Sequence, residues 1–122
     1  MFKVAEMYYW PGGTWVKVEG GKAKVGVTEA LLKKIPGGKI SSIRFTPPGT
    51  RVKQGEKLAV IMAGKTSIVV ESPITGVIEE VNQNLRGPNV TLILKDPYGE
   101  GSIAIIKPEK LEEDLKNLEK KE

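Results

Sequence analysis

A chain of 122 residues with 39% hydrophobic and 28% charged residues has the size and balance of one globular domain. It contains no cysteine and no histidine, which excludes disulfides, thiol redox pairs, zinc sites of the Cys/His kind and every histidine-dependent triad. The reactive group of any chemistry it takes part in is therefore expected to be other than an unmodified side chain. The net charge of +4 is uneven, because residues 108–122 carry four lysines against six acids, net −2, and the remainder carries +6. No Lys/Arg run exceeds two residues, so the balance reads as a solvated basic surface rather than a nucleic-acid footprint. Nothing approaches the roughly 18 apolar residues of a membrane span, and the opening MFKVAEMYYWPGG has no apolar run long enough for a signal peptide, so the expected location is cytoplasmic.

Tyr8, Tyr9, Trp10 and Trp15 open the chain as an aromatic cluster. The first three are expected to close one end of the core and to leave some aromatic surface for a partner. Trp15–Val18 and Ala23–Val27 alternate in polarity on either side of Gly20-Gly21, a hairpin signature. Thr28 is the expected N-cap of a short helix near residues 29–35, stopped by Pro36-Gly37-Gly38. From Gly38 to Lys95 the texture is β: the runs Ile40–Phe45, Leu58–Ala63, Ile68–Val70, Gly76–Val81 and Val90–Leu94 are cut by Pro and Gly at near-regular intervals. In the tail, Pro108 suits a first helical position, and Leu111, Leu115 and Leu118 form one apolar stripe. This predicts a C-terminal helix near 109–120 lying on the β-body.

Two halves of the β-region match at an offset of 38: Gly38 with Gly76, Ile40 with Ile78, Ile43 with Val81, Gly49 with Gly87 and Val52 with Val90. Two such units bury their apolar faces against each other in two small sheets with pseudo-two-fold symmetry. The segment between them turns back at its middle, and Gly64-Lys65 stands there between strand-forming residues. The pattern predicts Lys65 at an exposed hairpin tip, with Ile61 or Val60 paired to Ile68 or Val69. A lysine in a turn is also an ordinary solvated residue, and the pattern alone leaves both readings open. Catalysis by the chain itself finds little support. Glu79 and Glu80 alternate to opposite faces of a regular strand, and Ser67 and Ser72 have no base to activate them.

The residues resemble a known family. Trp15-Val16-Lys17-Val18-Glu19-Gly20, Val25-Gly26-Val27-Thr28-Glu29, Ser72-Pro73-Ile74-Thr75-Gly76-Val77-Ile78-Glu79-Glu80-Val81-Asn82 and Asp96-Pro97-Tyr98-Gly99-Glu100-Gly101 are similar to segments of glycine cleavage H proteins, within the wider group of biotinyl- and lipoyl-carrier domains. The likeness runs over residues 15–107, and the Asp-Pro-Tyr-Gly-x-Gly string is its most specific short match. It implies a mainly β barrel-sandwich hybrid with a short helix and a C-terminal helix. It implies one domain over 1–122: an N-terminal hairpin and helix (1–37), a lipoyl-like β-core (38–95) and a C-terminal segment (96–122). It places Lys65 on the lysine that carries covalent lipoate, with Lys65 the sole cofactor residue and no metal or catalytic residue. The implied role is a non-catalytic carrier of a methylamine group among glycine decarboxylase, aminomethyltransferase and dihydrolipoamide dehydrogenase, loaded by a lipoate-attaching enzyme, with no nucleic-acid or membrane partner.

The chain departs from the family pattern in four places. Met62 stands where the family has Glu three residues before the lysine, and Gly12-Gly13-Thr14 lacks the His before Trp15. Leu85–Lys95 is spaced differently around Pro88, and Ser102 replaces a Trp. The net charge is basic where family members tend to be acidic. These departures keep other readings in play: a diverged H-like lipoate-binding protein serving sulfur oxidation, a relay of lipoyl groups, or an unmodified β-module that binds or scaffolds partners. Gly64 and Thr66 flank the lysine where biotin acceptors place Met, which weighs against biotin.

Overall fold

Positive-φ glycines turn the chain at its tightest hairpins. The computed structural model describes residues 7–121, side chains of Pro36 and Lys121 excepted. Strand β1 (Met7–Trp10) leads through a turn into β2 (Thr14–Glu19), and Gly20-Gly21, at φ +56° and +77°, returns β2 onto β3 (Lys22–Val27). Two successive positive φ values are the type I′ hairpin condition, which glycine meets at no steric cost. Thr28 caps α1 (Glu29–Leu32) by accepting from the Leu31 amide at 3.4 Å. The helix is shorter than the 29–35 expected. Lys34 and Ile35 donate to Leu31 and Leu32, three residues back, and Gly37 at φ +64° breaks the turn that follows.

The remaining strands are β4 (Ser42–Phe45), β5 (Arg51–Val52), β6 (Lys57–Ala63), β7 (Thr66–Glu71), β8 (Gly76–Val81), β9 (Ala104–Pro108) and β10 (Glu119–Lys121). All neighbours are antiparallel. One sheet has the order β10-β1-β2-β3-β9-β8-β5, the other β4-β6-β7, and neither closes into a barrel. The mainly β two-sheet architecture expected from the sequence is the one the chain forms. Alternate residues of each sheet face a common core: Val16, Val25, Ile78 and Ile106 from the larger, and Ala59, Ile61, Ile68 and Val70 from the smaller. Each fully buried aliphatic side chain contributes about 1.5–3 kcal/mol, and this shared core holds the small sheet in place.

Three expectations are corrected. First, Val90–Leu94 is not a strand. A 3-10 turn at Gly87–Thr91 with Pro88 near its start runs into α2 (Leu92–Lys95). Val90 and Ile93, three apart, are the buried pair, and a short unbroken apolar run does not distinguish a buried strand from a buried helix. Of the pairs matched by the 38-residue repeat, only Ile43 and Val81 both lie in strands, β4 and β8, which belong to different sheets, while Val52 lies in β5 and Val90 in the 3-10 turn.

Second, Pro108 does not start a helix; it ends β9 opposite Gly76. The C-terminal helix is only α3 (Leu111–Leu115), and the chain then turns so that β10 pairs with β1, Tyr8 opposite Lys120 and Tyr9 opposite Glu119. An open strand edge offers unpaired backbone groups that the last residues satisfy. Leu111 from α3 and Leu118 from the turn before β10 still pack on the core.

Third, β8 carries a bulge. Ile78 lies opposite Ile106 and Glu80 opposite Ile105, so Glu79 is the extra residue. The bulge interrupts alternation. Glu79 and Glu80 consequently share one shallow groove of about 360 Å³ with Lys24, Asn82 and Ser102, not opposite faces.

Candidate functional site at the β6–β7 hairpin

The sequence Val60-Ile61-Met62-Ala63 and its partner Ser67-Ile68-Val69-Val70 alternate in burial. Ile61, Ala63, Ile68 and Val70 face the core, while Val60, Met62, Ser67 and Val69 face outward. Ile61 lies opposite Ile68, Val60 opposite Val69 and Met62 opposite Ser67, and Ala63–Thr66 is the last pair. Gly64 and Lys65 alone form the turn. Gly64 has φ +62° and Lys65 does not have positive φ, the pattern of a type II′ turn with Gly in the first central position. A Cβ on Gly64 would meet no atom within 4 Å, so glycine is needed there for backbone conformation and not for space.

Lys65 is exposed at the tip, and its amine makes no ion pair or hydrogen bond among the described residues. The turn itself is held. The Gly64 amide donates to Ser41 Oγ at 3.2 Å, and the Ser41 amide donates to the Met62 carbonyl at 2.7 Å. The arrangement presents one unencumbered primary amine on a support anchored by core residues two to four positions away. Ser41 was not legible as part of the site, because its contact spans 23 residues.

Met62 lies half-exposed on the outward face, with Ser67 Oγ donating to its sulfur at 3.5 Å. Around it lie the exposed cations Arg44, opposite Val60, and Lys57. Of the other chemical candidates, only Glu79 and Glu80 come together, in a groove whose lining does not include Lys65. Ser72 is buried, and its hydroxyl donates to the Ile74 carbonyl at 2.7 Å. Glu79 is salt-bridged to Lys22 at 3.2 Å. Among the described residues there is no group of three His, Cys, Asp or Glu side chains that could hold a metal ion, and no helix long and apolar enough to cross a membrane.

The aromatic cluster divides. Trp15 is fully buried, its Nε1 donating to the Pro97 carbonyl at 3.1 Å and its ring 5.7 Å from that of Tyr98. This contact, with Asn82 Nδ2 donating to the Glu100 carbonyl at 2.8 Å, ties the Asp96–Gly101 segment to the body. Tyr8, Tyr9 and Trp10 are half-buried.

This two-sheet fold is shared with the crystal structure of a glycine cleavage system H protein from Mycobacterium marinum. The two align with a TM-score of 0.74 over 87% of this chain and 86% of that one, at 23% identity. The sequence carries the assignment further, since the family model for the glycine cleavage H-protein matches residues 7–122. A probable glycine cleavage system H protein of Pyrococcus abyssi is 38% identical over 119 residues, 96% of this chain and 86% of that protein. Glycine cleavage system H protein 2 of Aquifex aeolicus is 44% identical over 105 residues, 85% of this chain. That match spans 63% of the Aquifex protein's own length. The chain belongs to the glycine cleavage H-protein family.

Proposed function

We propose that this chain is a non-catalytic carrier that displays a lipoyl group on Lys65 and moves its cargo between partner enzymes in the cytoplasm. The observation that carries this reading is the free amine of Lys65 at the tip of a core-anchored type II′ hairpin. A lipoyl group attached there supplies a dithiolane that is reduced, acylated or loaded with a one-carbon amine by other proteins. The chain's own residues do the mechanical work. Gly64 makes the turn, Ser41 holds its backbone, Ile61 and Ile68 fix the strands, and Lys65 Nζ, once deprotonated, forms the amide with an activated lipoyl carboxyl whose activating group leaves. With no Cys and no His in the chain, no side chain of its own competes for thiol exchange. Tethering raises the effective concentration of cargo at each enzyme visited.

Family membership supports glycine decarboxylase, aminomethyltransferase and dihydrolipoamide dehydrogenase as those enzymes, with a separate enzyme attaching the lipoate. Intact mass of the protein from its native source tests the reading: a lipoyl increment that maps to Lys65 and vanishes in Lys65→Arg is expected. An unmodified mass in cells growing on lipoate overturns it and leaves an unmodified binding module. Met62 and the cations beside it favour a second reading, a lipoate-binding relative serving sulfur oxidation or lipoyl relay. Reconstitution with glycine decarboxylase separates the two, since only the first supports glycine–carbon dioxide exchange.

A further inference from the structure

We propose that the outward face of the β4–β6–β7 sheet is the docking surface for the enzyme that acylates Lys65, and that this enzyme presents there an apolar patch bordered by carboxylates. The inference rests on the lipoyl reading above and adds the chemistry of the partner. Val69, 47% exposed, is one of only two large hydrophobic side chains exposed among the described residues. It lies on this face, opposite Val60 and diagonal to Met62, so three apolar side chains run down the sheet from the turn. Arg44 and Lys57 border the stripe, and an open groove of about 640 Å³ runs between Arg44, Lys57, Val60, Met62 and Ser67. The side chains of Arg44, Lys57 and Lys65 make no ion pair among the described residues. Three unpaired cations around an apolar stripe complement a partner of opposite charge with an apolar centre, and they disfavour a second copy of the same face.

Geometry selects the occupant. The inward side of the hairpin is core, so a protein reaches it only from the outward side. An enzyme working at the end of a long attached arm need not touch the sheet. An enzyme that acylates Nζ itself must bring its active site to the turn, and its footprint then covers the Met62–Ser67 and Val60–Val69 rows directly below. Met62 and the cations thus act in recognition, while Lys65 alone takes the acyl group.

The test uses the full-length chain and the purified lipoate-attaching enzyme of its source organism. Arg44→Glu and Lys57→Glu are each expected to raise KM for the chain about tenfold with kcat unchanged. Met62→Glu is expected to raise KM as well, since it sets a carboxylate against carboxylates. Lys107→Glu, on the other sheet, makes the same charge change and should leave KM where it was. Affinity for the enzyme, measured in a Lys65→Arg background, should fall in parallel and weaken with salt. Unchanged KM in both reversals, an equal effect from Lys107→Glu, or no binding overturns the docking face. Binding through this face without acylation at Lys65 instead upholds the face and removes the lipoyl reading.

Discussion

The indole Nε1 of Trp10 donates a 2.7 Å hydrogen bond to Oε1 of Glu71, joining the end of β1 in the larger sheet to the end of β7 in the smaller one. The contact fastens the foot of the β6–β7 hairpin, remote from the Lys65 tip. Trp10→Phe keeps most of the apolar contact and removes the donor, leaving a half-buried carboxylate unpaired. A loss of about 1–2 kcal/mol is expected from denaturant unfolding, with the lysine still open to an amine-reactive acylating reagent. A variant as stable as the parent shows that the hydrogen bond is energetically neutral.

Gly64 and Gly76 are both needed, for opposite reasons. At Gly64 an alanine finds open space but must hold φ +62°, which costs about 1 kcal/mol. At Gly76 the conformation is ordinary, but a Cβ would collide with the Lys107 carbonyl of the paired strand. Gly76→Ala must shift backbone and is expected to lose more than twice as much as Gly64→Ala in urea unfolding. Equal losses would refute this ordering.

Asp114 is a buried carboxylate, 3% exposed, that accepts from the Thr75 amide at 2.6 Å. Gln54 adds to the clasp, its side-chain amide donating at 2.9 Å to both the Pro73 and Asp114 carbonyls. Asp114→Ala strands the Thr75 amide and is expected to cost about 2–3 kcal/mol. It should also speed hydrogen exchange across the β1–β10 pair more than elsewhere in the larger sheet. Uniform acceleration would mean that α3 does not hold β10 in place.

Met62→Glu places a carboxylate on the half-exposed outward face, where it stays solvated, so the fold should lose about 1 kcal/mol or less. With a lipoate ligase from an organism whose own acceptor has Glu at this position, the variant should be acylated about tenfold faster than the parent, and Lys65→Arg not at all. This is opposite in sign to the expectation for the native enzyme. Equal rates for parent and Met62→Glu would make this position neutral, and acylation of Lys65→Arg would dismiss the site.

The hairpin turning at Gly64-Lys65 was legible from local sequence because the turn's determinants are local. Strand-forming residues on both sides of Gly64-Lys65 leave Lys65 at the tip, but the run before the turn is apolar throughout and left Ile61 or Val60 open; the folded sheet sets Ile61 opposite Ile68 and turns Ile61 inward. The Gly20-Gly21 hairpin and the Thr28 cap were readable for the same reason. Elsewhere tertiary structure decided. Val90–Leu94 is apolar without period, and only its place against the core makes it helical. The Leu111–Leu118 stripe has helical spacing, but the free edge of β1 captures the chain beyond it as β10. Glu79 and Glu80 share a groove because a bulge, set by pairing with a strand some 25 residues later, adds a residue to β8. The basic, apolar face beside Lys65 joins Arg44, Lys57 and Val69 from three strands. Periodicity reports which way a side chain points within its own element, and it carries no information about which distant strand will lie beside it.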